Sequence, residues 1–150
     1  QQVILNGENV TSLLRTEETG KMASKTSKYA AVRTKLVALQ RGLAKKTDVI
    51  MDGRDIGTTV LPDAFAKIYL TASSDARAKR RYDELKEKGE NCSFDAIKED
   101  IEKRDYEDMH RAISPLKQAD DAVLVDTSDM NIEQVVAALS KIIDEKKAGR

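Results

Sequence analysis

The 150-residue sequence has one cysteine, no tryptophan and aromatic residues at only 4%. A lone Cys92 excludes a disulfide framework and a thiolate metal site, and it suits a reducing cytoplasm. So few aromatics argue against a stacking platform for single-stranded nucleic acid. Net charge is missing as well, since 26 Lys plus Arg balance 26 Asp plus Glu. The chain therefore carries no general attraction for nucleic acid or for an anionic membrane. No apolar run reaches transmembrane length, and the opening residues do not read as a signal peptide.

What is present suffices for one folded domain. Hydrophobic residues make up 40% and charged residues 35%, a balance that supports a core and opposes disorder. The chain starts at Gln1 and runs directly into VILNGENV. Val3 to Leu5 reads as a strand, Asn6-Gly7 as a turn and Val10 as the return. A chain that opens inside a hairpin reads as a piece of a longer protein.

Residues 16–28 are polar and helical in part. A clearer helix spans 29–46, where Tyr29, Val32, Leu36, Leu39 and Leu43 recur at helical spacing. Strands are predicted at 48–52, 66–71 and 122–126. Ser73-Ser74 and Ser93 are placed to cap helices that run to Gly89 and to about Arg111. Asn131 and Gln134 form a capping-box-like start to a last helix, with an apolar stripe through Ile132, Val135, Val136, Leu139, Ile142 and Ile143. Strands alternating with helices predict an α/β fold with a parallel sheet covered by helices. Ligands of such sheets sit at the carboxyl ends of the strands. Two strands end there in polar residues, VIMD running into GRDIG and VLVD into TSD.

Three constellations bear on chemistry. In DGRDIGT, Gly53 and Gly57 allow tight backbone geometry, and Arg54 offers a fork suited to phosphate. Asp52 and Asp55 are suited to a metal, a sugar hydroxyl or a base amino group. A solvated turn with an internal Arg–Asp pair is the alternative. On the helix after Ser93, the line Phe94, Ile97, Ile101 continues through Arg104, Asp108 and Arg111. All six fall within about a third of the helix circumference. Either this face lines a polar, anion-holding cavity, or the helix runs past the sheet into water. In SSDARAKRR, Arg77, Arg80 and Arg81 share one helical side. They read either as solvated surface or as a mobile clamp on phosphates. His110, Cys92, Ser24 and Arg33 taken alone read as ordinary polar or snorkelling side chains. The residues by themselves indicate a polar anion-binding cleft.

Taken together, the segments LNGENVTSLLRTEE, ASK with Ser24, AVR with Arg33, DGRDIGTTVLPDA, KIYLTASSDARAKRR, IEKRDYEDMHRAISPL and ADDAVLVDTS…IEQVV resemble bacterial cytidylate kinase, a P-loop nucleoside monophosphate kinase family. The likeness covers essentially the whole chain. It implies phosphorylation of CMP or dCMP with ATP and Mg²⁺, in the cytoplasm, by a protein that is a monomer at full length. It implies that Ser24, Arg33 and Asp55 read cytosine, that Arg54 and Arg111 hold the acceptor phosphate, and that Arg104 and Asp108 touch the sugar. Arg77, Arg80 and Arg81 resemble lid arginines that close over the transferring phosphoryl group, and Asp52 is implied to help organise that region. Residues 1–33 resemble part of a monophosphate-binding insertion. Residues 34–150 resemble the core α/β domain, with its lid region at about 74–92.

One departure stands out. The pattern G-x-x-x-x-G-K-[ST], whose backbone amides and Lys would cradle ATP phosphates, occurs nowhere in the 150 residues. The resemblance puts that loop, and the first strand between 48–52 and 66–71, ahead of Gln1. The expectation is a chain that lacks the donor cradle and the metal's main ligands, is inactive alone, and swaps or self-associates to fill the gap in its sheet. Two alternatives remain open. One is a non-catalytic CMP sensor, and the other is a related kinase with a different base preference.

Overall fold

The computed structural model describes residues 2–14 and 16–149; Gln1, Arg15 and Arg150, which belong to the opening, the LLRTEE segment and the C-terminal end, lie outside the described residues. The chain divides into two compact units, residues 1–49 and 50–150.

In the first unit, β1 (Ile4–Leu5) and β2 (Glu8–Asn9) pair antiparallel, Ile4 opposite Asn9 and Leu5 opposite Glu8. Asn6 and Gly7 both take positive φ, 51° and 87°. A two-residue hairpin turn matched to strand twist requires this of both positions. Thr11 fastens the base of the hairpin: its Oγ1 accepts from Val3 N at 2.8 Å and donates to Asn9 Oδ1 at 2.7 Å. Helix α1 (Glu17–Thr26) starts at Thr16, whose hydroxyl accepts from Thr19 N. Helix α2 (Ala30–Ala44) follows, with Tyr29 at its N-cap. Its apolar line Tyr29, Val32, Leu36, Leu39 and Leu43 forms as the spacing predicts but is exposed.

In the second unit, β3 (Ile68–Thr71) and β4 (Val123–Asp126) pair in parallel, with Ile68 beside Val123 and Thr71 beside Asp126. Helix α3 (Ser74–Glu87) and helix α4 (Phe94–His110) start at Ser73 and Ser93, each hydroxyl accepting an amide three residues on. Helix α5 (Ile132–Ala148) carries the full capping box between Asn131 and Gln134. Helices α3 and α4 pack together. The rings of Tyr82 and Phe94 meet edge to face at 6.3 Å, and Ser74 Oγ donates to Glu102 Oε1 at 2.8 Å. The buried apolar core of this unit is small: Val60, Ala72, Ala78 and Val125.

Two expectations need correction. Residues 48–52 form no strand, although Val49-Ile50-Met51 has the composition of one, and Ile50 is 99% exposed. A strand exists only through its ladder, and among the described residues none pairs with this segment; β3 is bonded to β4 instead. On α5, Val135, Leu139, Ile142 and Ile143 turn inward, whereas Ile132 and Val136 stay exposed. The apolar surface is thus wider than the face that the second unit covers.

Candidate functional site

The loop after Met51 is shaped by its two glycines. A Cβ at Gly53 would come within 3.0 Å of Ile56 Cγ1, and one at Gly57 within 3.2 Å of Lys67 Cδ. Between them the chain enters a five-residue π-helical turn, Ile56–Val60, led by Asp55. Asp55 O accepts from Thr59 N at 2.8 Å and from Val60 N at 3.2 Å, and Leu61 N donates to Ile56 O at 2.7 Å. Such wide turns are uncommon and recur at functional sites. Val60, at 2% exposure, anchors this one in the core. The result is a buried Asp55 beside a half-buried Arg54, with Asp52 left exposed.

Helix α4 supplies the facing side chains. Its inward line is Phe94, Ile97, Ile101, Asp105 and Asp108, and Arg104 lies off it, exposed. Arg111 reaches the interior by another route. It ends the helix in an extended conformation, φ −66° and ψ 143°. Ser114 then takes φ 49°, a left-handed conformation uncommon outside glycine. The chain so reversed lets Arg111 Nε donate to Ser114 O at 2.5 Å, and Leu116 N bonds back to Asp108 O at 2.8 Å.

These elements gather five charged side chains. Arg54 Nε is 2.9 Å and Arg104 Nε 3.9 Å from Asp108 Oδ2; Arg111 Nη1 is 3.8 Å from Asp108 Oδ1, and Arg111 Nη2 is 3.7 Å from Asp55 Oδ1. Three guanidiniums face two carboxylates, so the cluster has one positive charge in excess. The side chains of Arg111 and Asp108 are 9% and 8% exposed. Yet Arg111 Nη2 and Asp108 Oδ2 are buried without a hydrogen bond. The Arg54–Asp108 contact is close enough for one but is not aligned, and the Arg111 contacts are too long. A buried donor and a buried acceptor left unbonded are costly unless something else completes them. An anion bearing hydroxyls has the matching groups.

The sequence-predicted arginines of α3 bond outside this cluster. Arg77 makes a two-pronged pair with Asp105 of α4, at 3.1 and 2.5 Å, and its Nε donates to Ala72 O at 3.1 Å. Arg80 donates to Thr127 O and, at 3.3 Å, to Met130 O, bracing the segment that leaves β4. Arg81 pairs with Glu84 at 2.8 Å, one turn along its own helix. Shared helical side notwithstanding, the three guanidiniums share no acceptor. Ser24 on α1 and Arg33 on α2 belong to the first unit. Sequence reasoning passed over Asp105, whose place on the inward line of α4 was the available signal. Among the described residues no group of three or more His, Cys, Asp or Glu is arranged to hold a metal. No helix formed by them is long and apolar enough to cross a membrane.

A family model described as Cytidylate kinase matches residues 1–145. The Cytidylate kinase of Lactobacillus johnsonii is 52% identical over 147 residues, covering 98% of this chain and 64% of that protein. That of Thermosipho melanesiensis is 47% identical over 142 residues, 95% of this chain and 65% of that protein. That of Bacteroides thetaiotaomicron is 49% identical over 137 residues, 91% of this chain and 60% of that protein. The chain therefore spans less than two thirds of the length of these relatives.

Proposed function

The chain belongs to the cytidylate kinase family, and from that premise we propose that the protein carrying it transfers the γ-phosphoryl group of ATP to CMP or dCMP, yielding CDP or dCDP. The observation that carries the reading is the Arg54–Asp55–Arg104–Asp108–Arg111 cluster, with its buried, unbonded Arg111 Nη2 and Asp108 Oδ2.

In this reading Arg54 and Arg111 hold the acceptor phosphate, for which planar guanidinium forks are suited. Arg104 and Asp108 meet the sugar; an ionised Asp accepts from a hydroxyl and Arg donates to one. Asp55, with Ser24 and Arg33, reads cytosine, whose N4 amino group is a donor that a carboxylate accepts. Arg77, Arg80 and Arg81 close over the transferring group, exchanging their present partners for phosphate oxygens, and Asp52 helps order that region. Residues 1–33 serve as part of the monophosphate-binding insertion, and residues 34–150 as the core, with a lid at about 74–92. Transfer is in line, without a covalent enzyme intermediate. The protein's contribution is positioning and neutralisation of spreading charge.

ATP and Mg²⁺ are assigned to a glycine-rich loop that these 150 residues do not contain. The described residues make no metal cage of three or more His, Cys, Asp or Glu. The partners are small nucleotides, and the setting is the cytoplasm.

The test is phosphoryl transfer by the full-length product of the reading frame that encodes these residues, with CMP, dCMP, UMP and AMP as acceptors. Preferential formation of CDP and dCDP is the expected result. Faster turnover of UMP or AMP overturns the base assignment, and tight CMP binding without turnover supports a sensor instead.

A further inference from the structure

Lys67 is the most confined lysine of the second unit, and the arrangement described so far does not use it. Lysines are almost never buried unless paired, and Lys67 is only 9% exposed, just ahead of the apolar run of β3. Its ammonium donates to Pro62 O and pairs with Asp121 Oδ1 at 2.6 Å. Its own carbonyl accepts from Val123 N at 3.0 Å. One residue therefore ties together the stretch that follows the π-helical turn, the start of β3 and the approach to β4. Its stem performs a second task. The Cβ position of Gly57 lies 3.2 Å from Lys67 Cδ, 3.5 Å from Cγ and 3.9 Å from Ala119 Cβ. The stem is a floor beneath Gly57, two residues after Asp55, whose carbonyl opens the turn.

We infer that Lys67 is a positioning residue for Asp55. It fixes the height of the turn at Gly57 and its exit at Pro62, and so sets where the Asp55 carboxylate stands relative to Arg111. The inference rests on the proposed reading that Asp55 faces the base of the acceptor nucleotide. A purely apolar side chain would fill the same space but could not hold the Pro62 carbonyl, so the turn could slide while the core stayed packed. The lowered pKa of the Asp121 carboxyl, caused first by its hydrogen bond from Lys67, agrees with an ionised pair.

The experiment compares wild type, Lys67→Met, Lys67→Arg and Gly57→Ala in the full-length product. The readouts are kcat and KM for CMP and UMP, and thermal melting. A small displacement of a reacting or reading group can cost roughly 100-fold. Lys67→Met is therefore expected to narrow the CMP-to-UMP ratio of kcat/KM by about tenfold or more, chiefly through a higher KM for CMP. Lys67→Arg, which keeps the donor, is expected to recover most of the ratio. Gly57→Ala presses on the same stem from above and is expected to narrow the ratio as well, which keeps the test decisive if Lys67→Met does not fold. A lower melting temperature with the ratio unchanged in the folded variants makes the lysine merely structural and overturns the inference alone. A wild type that does not discriminate CMP from UMP overturns the functional reading, and the inference with it.

Discussion

Arg111 Nη2 stands 3.7 Å from Asp55 Oδ1, with both side chains at least nine-tenths buried. The pair joins the residue that ends α4 to the loop that leads into the π-helical turn. It is close enough for strong attraction in a partly desolvated site and too long for a hydrogen bond. Arg111 Nη2, buried and without a hydrogen bond, is thus held near Asp55 while keeping a donor for a further group.

The first prediction separates the neighbours Arg54 and Asp55. Against uracil, a carboxylate reading the base would face O4, an acceptor, instead of an amino donor. Sites built around hydrogen bonds reject such mismatches by roughly 10⁴-fold. In the full-length product, Asp55→Asn is expected to narrow the CMP-to-UMP ratio of kcat/KM, because an amide can rotate and donate to O4. Arg54→Ala is expected to weaken both substrates alike, since a phosphate contact does not see the base. An unchanged ratio in Asp55→Asn together with an altered one in Arg54→Ala would reverse the two assignments.

Arg77 and Arg80 should part company when truncated. In this structure Arg77 pairs with half-buried Asp105 through two charge-assisted bonds. Its loss should cost about 2 kcal/mol of stability, because Asp105 is left unpaired. Arg80→Ala in the full-length product should lower kcat far more than it raises KM for CMP, as a contact made mainly in the transition state does. Denaturant melts and steady-state kinetics on both variants decide the matter. An unchanged kcat in Arg80→Ala would leave it as a brace for Thr127 and Met130.

Acid sensitivity follows from two exposed carboxylates. The Asp126 carboxyl is held below its ordinary value first by the Ser128 hydroxyl and then by the Ser128 amide, and Asp121 chiefly by Lys67. With a lowered folded pKa, the unfolded chain takes up the proton first as pH drops. Their stabilisation is therefore whole above the ordinary value of about 3.9 and is lost as pH falls from there through the lowered values. Urea midpoints measured from about pH 7 to about pH 3 should decline toward acid. Ser128→Ala should make that decline shallower; an identical slope would show that the hydroxyl bond does not form in solution.

Unpaired Val49-Ile50-Met51 predicts self-association of the isolated 150-residue chain, since apolar strand-forming segments without a ladder invite pairing. Sedimentation velocity should show concentration-dependent oligomers, reduced by Ile50→Lys. A cooperatively melting monomer at all concentrations tested would refute this.

Much of this protein is decided within a few residues along the chain. The hairpin turn at Asn6-Gly7, the caps at Ser73 and Ser93 and the Asn131–Gln134 box follow from the sequence alone, because each is a bond between near neighbours whose geometry the residue types dictate. A charged loop at Arg54-Asp55 and a charged stretch of α4 at Asp108 and Arg111 were legible separately; only the resemblance implied one site, and the fold brings them into one cluster. What only the tertiary structure decided depends on partners distant in sequence. Residues 48–52 look like a strand but lack a ladder. Arg77, Arg80 and Arg81 share a helical side, yet acceptors on α4, after β4 and one turn along α3 draw them apart. Arg111 turns inward by leaving the helix, where periodicity placed it on the helix face. Lys67, an unremarked charge before an apolar strand, is pinned by Asp121 far along the chain. Local bonds are written in neighbouring residues, whereas a ladder, an ion pair or a buried lysine exists only once the fold has brought its other half into reach.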